Sequence, residues 1–116
     1  MKINIKNQEI ELSYSMRIYI LFENITNKSL SFESMQSYTS LIVLFYSSII
    51  ASIQKQKLNI TISYDEFMDW LDDSNGEQMI KEFSTWFTTC LTNNIALQQN
   101  EESNENTSDS DESKNV

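Results

Sequence analysis

The regular spacing of apolar residues in this chain stops at Leu97, and this boundary most constrains the fold. Residues 98–116 contain six acidic residues, one lysine and no aliphatic or aromatic residue before Val116. Such a segment cannot bury enough apolar surface to offset the conformational entropy that it would lose on ordering. We therefore expect a compact domain over residues 1–97 and a disordered acidic C-terminal tail over residues 98–116.

The net charge of −9 limits the partners of so small a domain. Nucleic acids and anionic membranes both need cationic contacts, so neither is an expected partner. The chain has no histidine and one glycine, so it lacks the commonest general base and cannot form a glycine-rich phosphate loop. The single cysteine, Cys90, lies in an apolar helical pattern that favours a buried hydrophobe over a reactive thiol. We expect a non-enzymatic protein without cofactor or metal.

Residues 1–14 alternate between apolar and polar side chains, a pattern with the period of a β-strand. The segment predicts an N-terminal β-hairpin with its turn at Asn7-Gln8, because asparagine tolerates left-handed turn geometry. A lone hairpin is marginally stable in water, so a helix must cover its apolar face. The residues expected on that face are Ile3, Ile5, Ile10, Leu12 and Tyr14.

Two segments with helical patterns follow the hairpin. The first covers residues 15–27, where a buried strand over Tyr19–Phe22 is the alternative. The second runs from about Phe32 to Lys55, with Ser31 as its N-cap. Its apolar centre, Tyr38–Ile53, would span roughly 24 Å against a hydrocarbon core of ~30 Å, which favours a buried central helix over a membrane span. A second subunit or a partner is expected to cover part of this apolar surface.

Two further helices end the patterned part of the chain. Ser63 and Glu66 have capping-box spacing, which predicts a helix from Tyr64 to about Asp73. Asn75-Gly76 predicts a sharp reversal, and the last helix then runs from about Glu77 to Asn94. The predicted fold class is α+β, with the β-hairpin packed on a bundle of about four helices.

Acidic residues cluster in the third predicted helix, where Asp65, Asp69 and Asp72 would share one face with Glu66 and Asp73 nearby. One interpretation is a divalent-cation site or a pair of acid/base carboxylates. The other is a solvated acidic face, which we favour because a straight helix face cannot wrap oxygen ligands around an ion.

Six large apolar residues of the last two helices are the candidate partner-binding residues. Aromatic side chains dominate binding hot spots, but the same helical spacing is typical of a core. The sequence leaves both interpretations open for Phe67, Trp70, Leu71, Phe83, Trp86 and Phe87.

The opening hairpin Lys2–Leu12 (KINIKNQEIEL), a short and a long helix, the acidic-aromatic block Tyr64–Asp73 (YDEFMDWLDD) and a helix with a polar tail together resemble the tail assembly chaperones of long-tailed bacteriophages. The resemblance covers roughly residues 1–95 and concerns element order and hydrophobic pattern. It implies a protein of the host cytoplasm, absent from the mature virion, that binds the long helical tape measure protein and keeps it soluble during tail tube assembly. The tail tube protein and a second copy of this chain are further candidate partners.

The acidity of the chain supports an alternative hypothesis, an acidic inhibitor of phage origin that mimics nucleic acid. Such a protein would present regular rows of carboxylates on its folded surface. The six acids of the tail speak against this hypothesis, because they lie in the segment predicted to be disordered.

Overall fold

The computed structural model describes the backbone of residues 1–109 and the side chains of residues 1–94. Within these residues a β-hairpin precedes four α-helices, which confirms the predicted α+β class. The elements are β1 (Lys2–Ile5), β2 (Gln8–Glu11), α1 (Met16–Thr26), a 3-10 turn (Ser34–Gln36), α2 (Tyr38–Gln56), α3 (Tyr64–Asp73) and α4 (Gly76–Asp109).

The chain divides into two units, Met1–Trp86 and Phe87–Val116. The first unit contains the hairpin, α1 to α3 and the first part of α4, and the second begins within α4. The predicted acidic tail, residues 98–116, lies outside the described side chains, and its last seven residues, 110–116, lie outside the described backbone as well. The predicted domain boundary at residue 97 stays a prediction.

The hairpin turns one residue earlier than expected. β1 and β2 are antiparallel, with Ile3 opposite Ile10, and Lys6-Asn7 forms the turn with φ angles of 53° and 61°. Positive φ at both central residues is type I′ geometry, whose twist matches that of the strands. This register buries Ile3, Ile5 and Ile10, and a shift by one residue would place them on the solvent face.

Side chains from two helices bond to the strand backbone. The Trp70 indole N–H donates to the carbonyl of Asn4 at 2.8 Å, and the Gln56 amide donates to the carbonyl of Glu11 at 2.7 Å. These bonds satisfy one carbonyl on each strand and join the hairpin to α3 and α2. They explain how a sheet of two strands, marginal by itself, is held in place.

The first helix forms where the sequence predicts it. α1 covers Met16–Thr26, so the strand alternative for Tyr19–Phe22 is wrong. Ile18 and Phe22 are its buried side chains, and the helix ends at Asn27, whose φ of 60° is the left-handed conformation common at helix C-termini.

The second helix begins later than predicted. Ser37 is the N-cap of α2, and its hydroxyl accepts a hydrogen bond from the Ser40 N–H at 3.3 Å. Ser31, the predicted N-cap, accepts instead from the Ser34 N–H at 3.2 Å, at the start of the 3-10 turn. Each serine in this segment can cap a turn, so local chemistry does not select one of them. In the part of the chain that the structure describes, no helix combines the length and the hydropathy of a membrane span.

The third helix has both predicted capping-box bonds. The Ser63 hydroxyl accepts from the Glu66 N–H at 3.1 Å, and the Glu66 carboxylate accepts from the Ser63 N–H at 2.8 Å. The last helix begins at Gly76 and continues to Asp109, past its predicted end near Asn94. The residues after Asn94 include alanine, leucine, glutamine and glutamate, which are all good helix formers.

Aromatic side chains from three helices meet in the core of the first unit. Phe45 of α2 stacks on Phe83 of α4 with ring centroids 4.6 Å apart. Phe45 also makes a T-shaped contact with Phe67 of α3, at a centroid distance of 5.4 Å. All three side chains are completely buried, so they fix how α2, α3 and the start of α4 pack together.

Candidate functional site

The structure buries most of the predicted partner-binding residues. Phe67, Leu71, Phe83 and Phe87 have at most 4% of their surface exposed. A partner cannot contact these side chains in this conformation. Their role in partner binding stays a prediction, and it would require the helices to separate.

Trp70 is half-buried and has a structural role. Its indole N–H bonds to the Asn4 carbonyl, and its ring meets Phe45 at a centroid distance of 5.9 Å. Trp70 therefore connects α3 to the hairpin and to the core.

Trp86 lines a surface groove of about 450 Å³, formed by residues of α4 together with Met1. Lys81 and Glu82 line the same groove, and so does Met1, whose α-amino group lies 3.4 Å from the Glu11 carboxylate. The groove thus combines an aromatic ring with charges of both signs. Of the six predicted residues, Trp86 is the one that is half-buried and lines a groove of this size.

A second groove, here called the three-helix groove, lies where α2, α3 and α4 converge. Its volume is about 290 Å³, just below the range of small-molecule pockets, ~300–1,000 Å³. The residues that line it are Tyr38 and Ile42 of α2, Met68, Leu71 and Asp72 of α3, and Gly76, Glu77 and Ile80 of α4.

A close contact between consecutive helices shapes the three-helix groove. Asn75, with a φ of 40°, reverses the chain between α3 and α4. A Cβ atom at Gly76 would lie 2.9 Å from the carbonyl oxygen of Leu71, closer than real Cβ atoms approach. Glycine therefore lets the start of α4 lie against the end of α3. This is the physical reason for the chain reversal that the sequence predicts at Asn75-Gly76.

Hydrogen bonds and an ion pair also hold the start of α3 in place, at the end of the helix away from Gly76. The Tyr46 hydroxyl donates to the Ile62 carbonyl at 2.7 Å, which ties the connector before α3 to α2. The Lys6 ammonium lies 2.9 Å from the Glu66 carboxylate. Hydrogen bonds from the Ser63 N–H and from Lys6 hold the pKa of Glu66 below its usual value.

The other acids of α3 form an exposed face. Asp65, Asp69 and Asp72 are all exposed, as the solvated interpretation expects. Across residues 1–94, no group of three or more cysteine, aspartate or glutamate side chains is arranged to hold a metal ion. Cys90 is half-buried, and burial raises the pKa of its thiol, so the reactive thiolate is disfavoured.

Exposed apolar side chains outside the grooves were not predicted as a set. Met16 and Ile20 of α1 are 71% and 58% exposed, and Phe32 in the following connection is 78% exposed. A signal for the first two exists in the sequence. Met16 and Ile20 are four residues apart, on the side of α1 opposite to the buried Ile18 and Phe22.

No protein-family model matches this chain, and neither curated proteins nor solved structures include a detectably similar protein.

Proposed function

We propose that this chain is a non-enzymatic polypeptide-binding protein and, more specifically, a phage tail assembly chaperone that binds the tape measure protein. The observation that supports this proposal is apolar surface left uncovered on a small acidic body. Phe32, Met16 and Ile20 are exposed, and the three-helix groove is lined mainly by apolar side chains. An apolar groove accompanied by exposed apolar side chains is consistent with a protein-binding surface.

The charge of the chain fits the same role. A tape measure protein is long, helical and prone to aggregate, so its carrier must cover apolar faces and keep the complex dispersed. Helix-in-groove binding can do the first, and the net charge of −9 can do the second. The specific identity as a tail assembly chaperone rests on the resemblance of Lys2–Leu12 and Tyr64–Asp73 to that family.

Co-expression tests this proposal. The full chain would be expressed with a candidate tape measure protein, a long helical protein encoded in the same genome, and separately with a candidate tail tube protein. We expect the tape measure protein to remain in the supernatant with the chain, to precipitate without it, and to elute with it in size-exclusion chromatography. A tape measure protein that stays dispersed alone and forms no complex would contradict the proposal.

The nucleic-acid mimic remains a second candidate because of the exposed carboxylates of Asp65, Asp69 and Asp72 on one face of α3. It would compete with DNA for a basic DNA-binding enzyme, with a strong dependence on salt. Competition at physiological salt, together with no binding to any helical polypeptide, would favour this candidate over the chaperone.

A further inference from the structure

We infer that the three-helix groove binds an amphipathic helix with apolar residues at i and i+4 and lysine or arginine beside them. This inference rests on the proposed function, because it names the site and the chemistry by which a polypeptide would be held. Three properties of the groove lead to it: its apolar walls, its helical boundaries and its charge.

The walls of the groove are apolar and accessible. Tyr38 is 53% exposed at the start of α2, and Ile42, one turn later, is half-buried. Met68 of α3 is half-buried on the facing wall. A volume of about 290 Å³ is small for an organic cofactor but can accept apolar side chains from one face of a partner. Filling it would remove these three side chains from water.

The boundaries of the groove select a helical occupant. All eight lining residues belong to α2, α3 and α4, so the groove offers no strand edge to which an extended peptide could bond. A peptide bound there must satisfy its own backbone hydrogen bonds, and a helix does so internally. Side chains at i and i+4 of such a helix lie on one face and can enter the groove together.

The charge of the groove selects a basic occupant. Asp72 and Glu77 are its exposed charged lining residues, and no lysine or arginine lines it. The acidic tail of this chain has the same sign of charge, with six acidic residues and one lysine over residues 98–116, so it is disfavoured as an occupant. A second copy of the chain is disfavoured for the same reason, because like charges that meet across an interface weaken binding. The groove that Trp86 lines has charges of both signs, so it does not favour a basic occupant over an acidic one.

Two synthetic peptides of about 18 residues, long enough to form a helix, test the inference. Both have leucine at i and i+4 positions, and the remaining positions are lysine in one peptide and glutamate in the other. Fluorescence anisotropy with the full chain at physiological salt gives the dissociation constants. We expect binding of the leucine–lysine peptide and binding at least tenfold weaker for the leucine–glutamate peptide.

Matched variants locate the binding site. Asp72→Asn with Glu77→Gln removes two charges that line the groove, and Asp69→Asn with Asp73→Asn removes two exposed α3 charges that do not. Both double variants reduce the net negative charge equally. We expect the groove variant to weaken binding of the lysine peptide about three- to tenfold more than the control variant. Tyr38→Ala, at an exposed position, should weaken it about tenfold, with an unchanged circular dichroism spectrum.

The outcomes separate this inference from the proposed function. Binding of the lysine peptide that both double variants weaken equally, and that Tyr38→Ala leaves unchanged, would overturn the groove as the site but leave polypeptide binding intact. Equal binding of both peptides would overturn the selection for basic segments. Binding of neither peptide would count against polypeptide binding itself, and so against both proposals.

Discussion

Replacement of Ser52 by alanine tests whether one long-range hydrogen bond holds the strand-to-helix connection onto α2. Ser52 is completely buried, and its hydroxyl accepts a bond from the backbone N–H of Ser13 at 3.0 Å. The same hydroxyl donates to the carbonyl of Ser48, four residues earlier in α2, at 2.8 Å. Ser13 follows β2 in the chain, so this bond joins the segment between β2 and α1 to the central helix.

The expected cost follows from the two bonds. The Ser48 carbonyl still has its helical partner in Ser52→Ala, so loss of the donated bond has little effect. The Ser13 N–H, in contrast, loses its acceptor in a partly buried place, which costs about 1–3 kcal/mol. Alanine has a higher helix propensity than serine, which offsets about 0.5 kcal/mol. We therefore expect a loss of about 0.5–2.5 kcal/mol in the free energy of unfolding, or about 2–20 °C in Tm for a domain of this size.

Ser48→Ala is the matched control. Ser48 is also completely buried in α2, but its hydroxyl bonds to the Leu44 carbonyl of its own helix, at 2.9 Å. Ser48→Ala also removes one buried hydroxyl group from α2, but this hydroxyl bonds only within its own helix. We therefore expect the free energy of unfolding to change by no more than about 0.5 kcal/mol. Urea unfolding gives both values, and amide exchange at Ser13 should accelerate only in Ser52→Ala. Equal stabilities of the two variants, with unchanged exchange at Ser13, would refute the reasoning.

Three further predictions test how α3 is positioned. Gly76→Ala should lower the free energy of unfolding by about 1 kcal/mol or more, because its Cβ would lie 2.9 Å from the Leu71 carbonyl oxygen; a more stable variant in urea unfolding would contradict this. Trp70→Phe should cost about 0.5–1.5 kcal/mol and accelerate amide exchange in β1, because the Asn4 carbonyl loses its donor; unchanged exchange would count against it. The pKa of Glu66 is lowered in the folded state, so its stabilisation is present above pH ~4.5 and is lost as the pH falls through that lower pKa. The stability difference between wild type and Glu66→Gln should therefore shrink as the pH falls below about 4.5, and a difference independent of pH would exclude this role.

Local signals predicted the elements that local chemistry can specify. The capping box of Ser63 and Glu66 involves atoms three residues apart, so the sequence is enough to place the start of α3. The predicted start of α2 is wrong because Ser31, Ser34 and Ser37 offer equivalent capping hydroxyls. The hairpin turn was displaced by one residue because Lys6 takes a positive φ that its residue type does not indicate.

The candidate site shows a different limit of sequence reasoning. Helical spacing predicts which side chains share a face, but a core and a binding surface have the same apolar spacing. Phe67 and Phe83 meet Phe45 across the helices and are buried, whereas Trp86 on α4 lines a groove. Only the positions of the neighbouring helices distinguish these cases.

The sequence alone determined the alternation of the hairpin, the capped start of α3, the reversal at Asn75-Gly76 and the acidic character of the chain. All of these depend on residues close together in the chain or on composition. The tertiary structure decided which apolar faces are covered, where Trp70 finds its acceptor 66 residues away, and that three helices enclose a groove with Asp72 and Glu77. These features depend on contacts between distant segments, which close only when the whole domain packs and therefore leave no local pattern in the sequence.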